Sequence, residues 1–343
     1  MHQIAFTESE PVTNPFREDT KHQWIPSDVA VSECGHVKFL SYINNLHPIR
    51  HAPLYDSIAS IFERFVPLFD RVLSCLADKK SPRQELKIPY SNRDEQMMLT
   101  SPHPKIPDRL PLQPTAKEAY TLRGKGIQVI VKIAEIHLTQ NQLYDGSWHI
   151  EGTEAEQIVA TGLYYFGCEN MTESKLSFHV LVQEPYHWYN DDIGVAASYA
   201  LEDNELLIQT LGAATAIEDR CLVFPNTLQH KVETIRLADT SKPGHRKVLA
   251  FFLVDPTKKI PSTSVIPPQQ HRWLRESQHL VLRPLQQQYG IPDTVLSDHV
   301  LPFLPRGLYL KEAKRYRNQL MSERDSANDI EEDSELKFSL CEH

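Results

Sequence analysis

The chain is short of paired cysteine, of net positive charge and of long apolar runs, and each shortage removes a class of protein. Its five cysteines, Cys34, Cys75, Cys168, Cys221 and Cys341, are widely spaced and form no CxxC pair. That speaks against a zinc ribbon or a disulfide framework and for a reducing compartment. A net charge of -9 offers no basic face, so nucleic acid is not an expected partner. No run of about eighteen apolar residues occurs, so neither a spanning helix nor a membrane partner is expected. The amino end, "MHQIAFTESEPVTNPF", lacks the basic-then-apolar pattern of a secretory signal. A cytoplasmic location is the default expectation. Several catalytic signatures are missing too: there is no HExxH, no GxSxG, no P-loop and no GxGxxG after a strand. Zinc deaminases share a His-x-Glu motif, but the PCxxC they require is absent.

What is present is ordinary globular material, 343 residues with 24% charged and 41% hydrophobic side chains, enough for a full core. Residues 1–30 are polar and proline-containing and read as a surface arm. "LYDSIASIFERFVPLFDRVLSCL" (54–76) repeats apolar residues at three- and four-residue intervals, which predicts an amphipathic helix bent or interrupted at Pro67. Proline and charge then fill 81–114, a long surface connection. Beyond it the period changes. Runs at 126–139, 158–166, 175–182, 219–226 and 247–256 are β-branched and aromatic and are bounded by turn residues. Only one helix, near 194–201, interrupts them, so the core is expected to be an antiparallel double sheet or barrel. Residues 309–325 read as a helix, with a solvated basic turn at 311–317, ahead of an acidic tail expected to be disordered. The expected organisation is an arm and helical region over 1–110, a β core over 111–270 and a helical extension over 271–343.

The stretch "GSWHIEGT" (146–153) places His149 and Glu151 after one strand and before the next, two residues apart and so on one side of an extended chain. Sixteen histidines and forty-five acidic residues make about two His-x-acid triplets by chance, so the motif needs its setting. "CLVFPNTLQHKV" carries a strand through Pro225 to His230, and "GHRKVLAFFLVDP" puts Arg246 at the start of a very apolar strand, where it calls for an anionic partner. Two histidines and one carboxylate occupy one face of an octahedral metal and leave the other open, the arrangement that suits non-haem Fe(II) and oxygen chemistry. An arginine nearby offers a planar fork for a carboxylate. The bland alternatives are a loop histidine and a surface arginine. The aromatic stretch "QEPYHWYNDDIGV" (183–195), with His187, Trp188 and Tyr189, is a candidate substrate lid or a packed insertion. Trp148 is open between substrate contact, support of His149 and core packing.

The order HxE, distal His, following Arg resembles that of the Fe(II)/2-oxoglutarate-dependent oxygenases. The chain also resembles the mostly fungal family named domain of unknown function 4246, through "HQWIPSDV", "VKFLSYINNLHPIRH", "GSWHIEGT", "IVATGLYYFGCENMTES", "GHRKVLAFFLVDPTKKIPSTSVIPPQQ" and "EAKRYRNQLMSER", from about residue 22 to 325. The resemblance implies a mainly β fold with flanking helices, a double-stranded β-helix of jelly-roll, cupin-like form. It implies His149, Glu151 and His230 as Fe(II) ligands, Arg246 as the clamp for the distal carboxylate of 2-oxoglutarate, and molecular oxygen as oxidant. Strand 158–166 is similar to the prolyl-hydroxylase branch, which makes Tyr165, or else Tyr164, a further 2-oxoglutarate contact. Only one of the two can face inward. Two departures stand out: glutamate replaces the commoner aspartate, and the spacing from His230 to Arg246 is long, with "LADTSKPGH" as an extended turn. The implied activity is oxidation of a small organic substrate (hydroxylation, desaturation or rearrangement), as in fungal natural-product biosynthesis. A protein-residue hydroxylase, a non-redox metal enzyme and a non-catalytic scaffold are the alternatives.

Overall fold

A computed structural model describes residues 22–77, 119–181, 195–196, 201–304, 306–327 and 337–339. Its first long element is the amphipathic helix α1 (Ala52–Ala77), which buries Ile58, Phe62, Phe65, Val66, Phe69 and Leu73 along one stripe. The helix continues through Pro67, so of the expected bend or interruption the interruption does not occur. Pro67 is exposed, so the carbonyl it leaves without a partner one turn earlier can be solvated, which lowers the usual penalty.

The α1 stripe lies on a six-stranded antiparallel sheet, β2-β1-β3-β9-β4-β7, built from β1 (Ser27–Val31), β2 (Val37–Phe39), β3 (Lys125–Leu138), β4 (Ile158–Glu169), β7 (Cys221–Pro225) and β9 (Gly244–Val254). Three further strands, β5 (Lys175–Leu181), β6 (Ile208–Thr215) and β8 (Gln229–Val232), form a second sheet in the order β6-β5-β8. Period-two alternation gives the large sheet two faces. Val129, Ala160, Leu249, Phe251 and Leu253 pack with α1. Ile130, Leu163, Tyr165, Ala250 and Phe252 pack with Leu176, Phe178 and Val180 of β5 and Val232 of β8. The layers are therefore helix, large sheet, small sheet. At Gly162 the helix comes so close that an added Cβ would lie 2.7 Å from the Phe65 ring. Among the described residues the two sheets stay open, linked near the site by isolated bridges at Tyr144↔Ile235, His149↔His230 and Met171↔Leu237.

The expected arm is shorter than 1–30: Ser27–Val31 is a strand, paired with β3 from Ser27↔Val129 to Val31↔Lys125. Alternation of buried Ser27, Val29 and Val31 with half-buried residues explains why a polar-looking stretch still pairs. With β2 it draws the sheet beyond the 111–270 expected for the core. β6 and β8 are strands with no counterpart in the expected set. β6 is largely exposed, and β8 has four residues. The carboxy-terminal region holds α2 (His271–Tyr289) and α3 (Leu310–Ala327), and the basic cluster 311–317 lies on α3. The 81–114 connection, most of the 194–201 helix and the acidic tail lie outside the described residues. Past the tail, Phe338 is fully buried against Val195, Leu201 and Leu207. No helix among the described residues is long and apolar enough to cross a membrane.

Candidate metal centre

His149 and His230 face each other across an antiparallel bridge in which each backbone N–H donates to the other's carbonyl, at 3.1 and 2.9 Å. Directly opposed residues of such a pair send their side chains to one side. Glu151, two residues on, joins them. Its Oε1 lies 3.8 Å from His149 Nε2 and 3.6 Å from His230 Nε2, and one ligand atom from each residue lies within 4.8 Å of the others. Donors about 2.1 Å from one ion and subtending 90–120° at it are roughly 3.0–3.6 Å apart. The two Glu151 separations lie at or just beyond the top of that range, so the three groups can close on a shared divalent ion through side-chain movement. Among the described residues this is the one cluster of three or more such ligands that could hold a metal.

The donor set is oriented as a metal site needs. His149 Nδ1–H donates to the Ser147 carbonyl at 2.8 Å, which leaves the Nε2 lone pair aimed at Glu151, the usual way a protein fixes a ligating tautomer. His230 is 3% exposed, and among the described residues its Nδ1 has no hydrogen-bond partner. Burial pushes the Glu151 carboxyl up, but His230, the Lys132 charge and His149 together pull it down to about 2. Burial, with the neighbouring His230, lowers His149. Both shifts favour the forms that bind metal, a carboxylate and a neutral imidazole.

Asn226 holds the Glu151 segment. Its side chain accepts from Glu151 N–H at 3.0 Å and donates to the Glu151 and Ile158 carbonyls at 2.8 and 3.1 Å. Sequence reading passed over this residue; its only signal was a turn-forming "PN" at a strand end. The chain then reverses at Gly152, whose φ of +77° favours glycine. A capping box follows, in which Thr153 N–H donates to Glu156 Oε2 at 2.7 Å. Glu156 is fully buried. It accepts from the Trp24 backbone N–H and from Arg324 of α3 at 2.7 and 2.9 Å. The guanidinium of Arg324 sits 3.4 Å from the Trp24 ring centroid. Neither Glu156 nor Arg324 was among the expected site residues.

Arg246 is 3% exposed and has the same parity as Val248, Ala250 and Phe252, which face the small sheet. Its guanidinium donates to Ser174 Oγ and lies 3.9 Å from Cys168 Sγ. Among the described residues no carboxylate lies within 4.0 Å of it. The long turn before it is clamped by Asn170, whose amide donates to the carbonyls of Asp239 and Lys242 at 2.9 Å each. Tyr165 is buried on the same side of the sheet; burial pushes its hydroxyl up to about 12, partly offset by the Arg246 charge. Tyr164 points the other way, toward α1, and its hydroxyl donates to Asp219 at 3.0 Å.

Trp148 lies on the other side of the ligand-bearing strands. It stacks on His179 at 3.9 Å between ring centroids, and His179 bonds Gln229. His179 and Gln229 are register partners, as are Phe178 and His230, so Trp148 belongs to the face of the small sheet turned away from the ligands. It backs the strands that carry His149 and His230, on the side away from their imidazoles. His187, Trp188 and Tyr189 lie outside the described residues.

Fold and site together define a mainly β protein with two facing antiparallel sheets and a two-histidine, one-carboxylate cluster. The chain belongs to the family described as protein of unknown function (DUF4246), whose model matches residues 3–277. No curated protein matches it. Among solved structures it is similar to the Fe(II)/(alpha)ketoglutarate-dependent dioxygenase TqaL at 13% identity, over 73% of this chain and 76% of that one, with a TM-score of 0.31. A bsmA homologue from Methylobium petroleophilum PM1 matches at 9% identity over 38% of this chain, with a TM-score of 0.21; the chain covers 41% of that protein. Hydroquinone 1,2-dioxygenase PnpCD matches at 13% identity over 41% of this chain and 64% of that one, with a TM-score of 0.19. Likeness this slight carries no inference about activity.

Proposed function

We propose that the protein is an Fe(II)- and 2-oxoglutarate-dependent oxygenase that oxidises a small organic substrate on a double-stranded β-helix of jelly-roll form. The observation that carries the reading is the pairing of two features in the space between the sheets. One is the convergence of His149, Glu151 and His230 on a single point. The other is Arg246, a buried guanidinium without a carboxylate partner among the described residues. A buried cation left in that condition is costly unless an anion joins it, and a planar fork suits a carboxylate.

In this reading His149, Glu151 and His230 hold the iron, Arg246 receives the distal carboxylate of 2-oxoglutarate, and the Tyr165 hydroxyl donates a hydrogen bond to that same carboxylate. Ser174 keeps the guanidinium in place. The bound iron supplies the redox chemistry, activation of molecular oxygen coupled to decarboxylation of 2-oxoglutarate. Phe178 and Phe224 pack against His230 and shield it from water, which strengthens its electrostatic contacts.

Anaerobic titration with Fe(II) and then 2-oxoglutarate is the direct test. A weak visible charge-transfer band should appear in the wild type and vanish in His149→Ala. Arg246→Met should keep iron but raise the Kd for 2-oxoglutarate roughly 30–150-fold, the loss of a charge-assisted pair of about 2–3 kcal/mol. Tight iron binding with no band would point to a non-redox metal enzyme, and a protein that binds no metal would sink the reading.

A further inference from the structure

A second cation faces the site and has no function in the reading above. Lys132 stands on β3 between Ile130 and Ala134, with the parity of Ile130, which packs toward the small sheet, and opposite to Val129 and Val131, which pack toward α1. Lysine is rarely placed on the inner face of a sheet without a partner. Its Nζ lies 4.9 Å from the Trp24 ring centroid and 6.0 Å from that of Phe252, rings that stack on each other at 5.1 Å. Trp24 in turn is tied through its backbone N–H to Glu156, five residues beyond Glu151. Lys132 is close enough to act electrostatically on both Glu151 and His149, yet among the described residues no carboxylate lies within 4.0 Å of it.

Neutralising Glu151 does not account for Lys132, because a bound divalent ion does that. Nor does the cosubstrate. The two positive charges of Fe(II) and the one on Arg246 are balanced by Glu151 and the two carboxylates of 2-oxoglutarate, and the neighbouring Glu156 and Arg324 balance each other. With iron and 2-oxoglutarate in place, one positive charge remains at the site. An uncompensated cation favours a ligand of opposite sign, and an ammonium over an aromatic ring remains free to give its N–H donors to a carboxylate.

We infer that Lys132 binds a carboxylate of the substrate, so that the substrate class is an organic acid. The inference rests on the oxygenase reading above.

The test measures binding to the anaerobic Fe(II)–2-oxoglutarate complex, followed by the charge-transfer band and by calorimetry. The probes are matched acid and primary-amide pairs: benzoate and benzamide, hexanoate and hexanamide, indole-3-acetate and its amide. At least one acid should bind tenfold or more tightly than its amide. In Lys132→Met that preference should fall to within threefold with amide affinity unchanged, and Lys132→Arg should restore it. The Kd for 2-oxoglutarate should stay within threefold in both variants. A band that forms while no acid is preferred, or a preference that survives Lys132→Met, overturns this inference alone. So does a tenfold loss of 2-oxoglutarate affinity in Lys132→Met, which would make Lys132 part of the cosubstrate site. A wild type that never forms the band defeats the oxygenase reading and this inference with it.

Discussion

The two faces of the six-stranded sheet are made by the same strands and differ in what alternate residues carry. Toward α1 the sheet presents Val129, Ala160, Leu249, Phe251 and Leu253, closed by four phenylalanine ring contacts in which Phe62, Phe65, Phe69 and Phe251 meet at 5.0–6.1 Å. Toward the small sheet it presents Lys132, Tyr165 and Arg246 among Ile130, Ala250 and Phe252. A period of two lets one strand serve both faces, because residue i packs on α1 while residue i+1 faces the small sheet. The first face can therefore be tuned for packing alone, and the second is free to hold charges that packing would reject.

Damage to the helix face should cost the most stability and the least chemistry. Phe251→Ala removes a fully buried ring between α1 and β9 and should destabilise by about 3–5 kcal/mol. Urea unfolding should show that loss, while the Fe(II) affinity of the protein that remains folded stays within about twofold. An equal loss of iron affinity would mean that the two faces are coupled.

Acid should act through the opposite face. Glu151 is held at about 2 in the folded protein against 4.5 unperturbed, so its stabilising contribution is present above pH 4.5 and lost as pH falls toward 2, up to about 3 kcal/mol. His149 is lowered by burial. Below its unperturbed 6.5 the unfolded chain takes up a proton first, which again removes stability as pH falls. Urea midpoints of the metal-free protein at stepped pH should therefore decline from about pH 6.5 downward, and Glu151→Gln should flatten the part below 4.5. A wild type and variant that decline in parallel would show that Glu151 is not the group titrating. In the same series Glu151→Ala should weaken Fe(II) at least about 100-fold, roughly 2.7 kcal/mol, with Phe251 packing and the helix signal intact.

The helix face was legible from sequence because it rests on apolar periodicity, which survives any detail of pairing. Helix 54–76 and the strands that became β3, β4, β5, β7 and β9 all announce themselves by period and residue type. β1 did not, since Ser27 and Asp28 disguise a five-residue strand that exists only because β3 offers it an edge. The site face was legible where it depends on local order: His149 and Glu151 two apart, then His230, then Arg246. What escaped depends on long-range contact. Asn226 meets Glu151 across 75 residues, Arg324 reaches Glu156 across 168, and Trp148 turned out to face His179, a partner that no spacing rule identifies.

The smallest expected effect is the sharpest test of the comparison, because it uses neighbours on the same strand. Tyr165 is buried on the site face beside Arg246, and among the described residues no hydrogen bond is made by its hydroxyl. Tyr164 is on the α1 face and gives its hydroxyl to Asp219. Removing either oxygen leaves the ring and its packing in place, so stability should change by less than about 1.5 kcal/mol in both Tyr165→Phe and Tyr164→Phe. Their effect on 2-oxoglutarate should differ. Tyr165→Phe should raise its Kd by roughly 3–10-fold, one hydrogen bond's worth, while Tyr164→Phe leaves it unchanged. Equal effects would mean that the hydroxyl of Tyr165 does not reach the cosubstrate, and a larger effect at Tyr164 would reverse the assignment of the two faces at this strand.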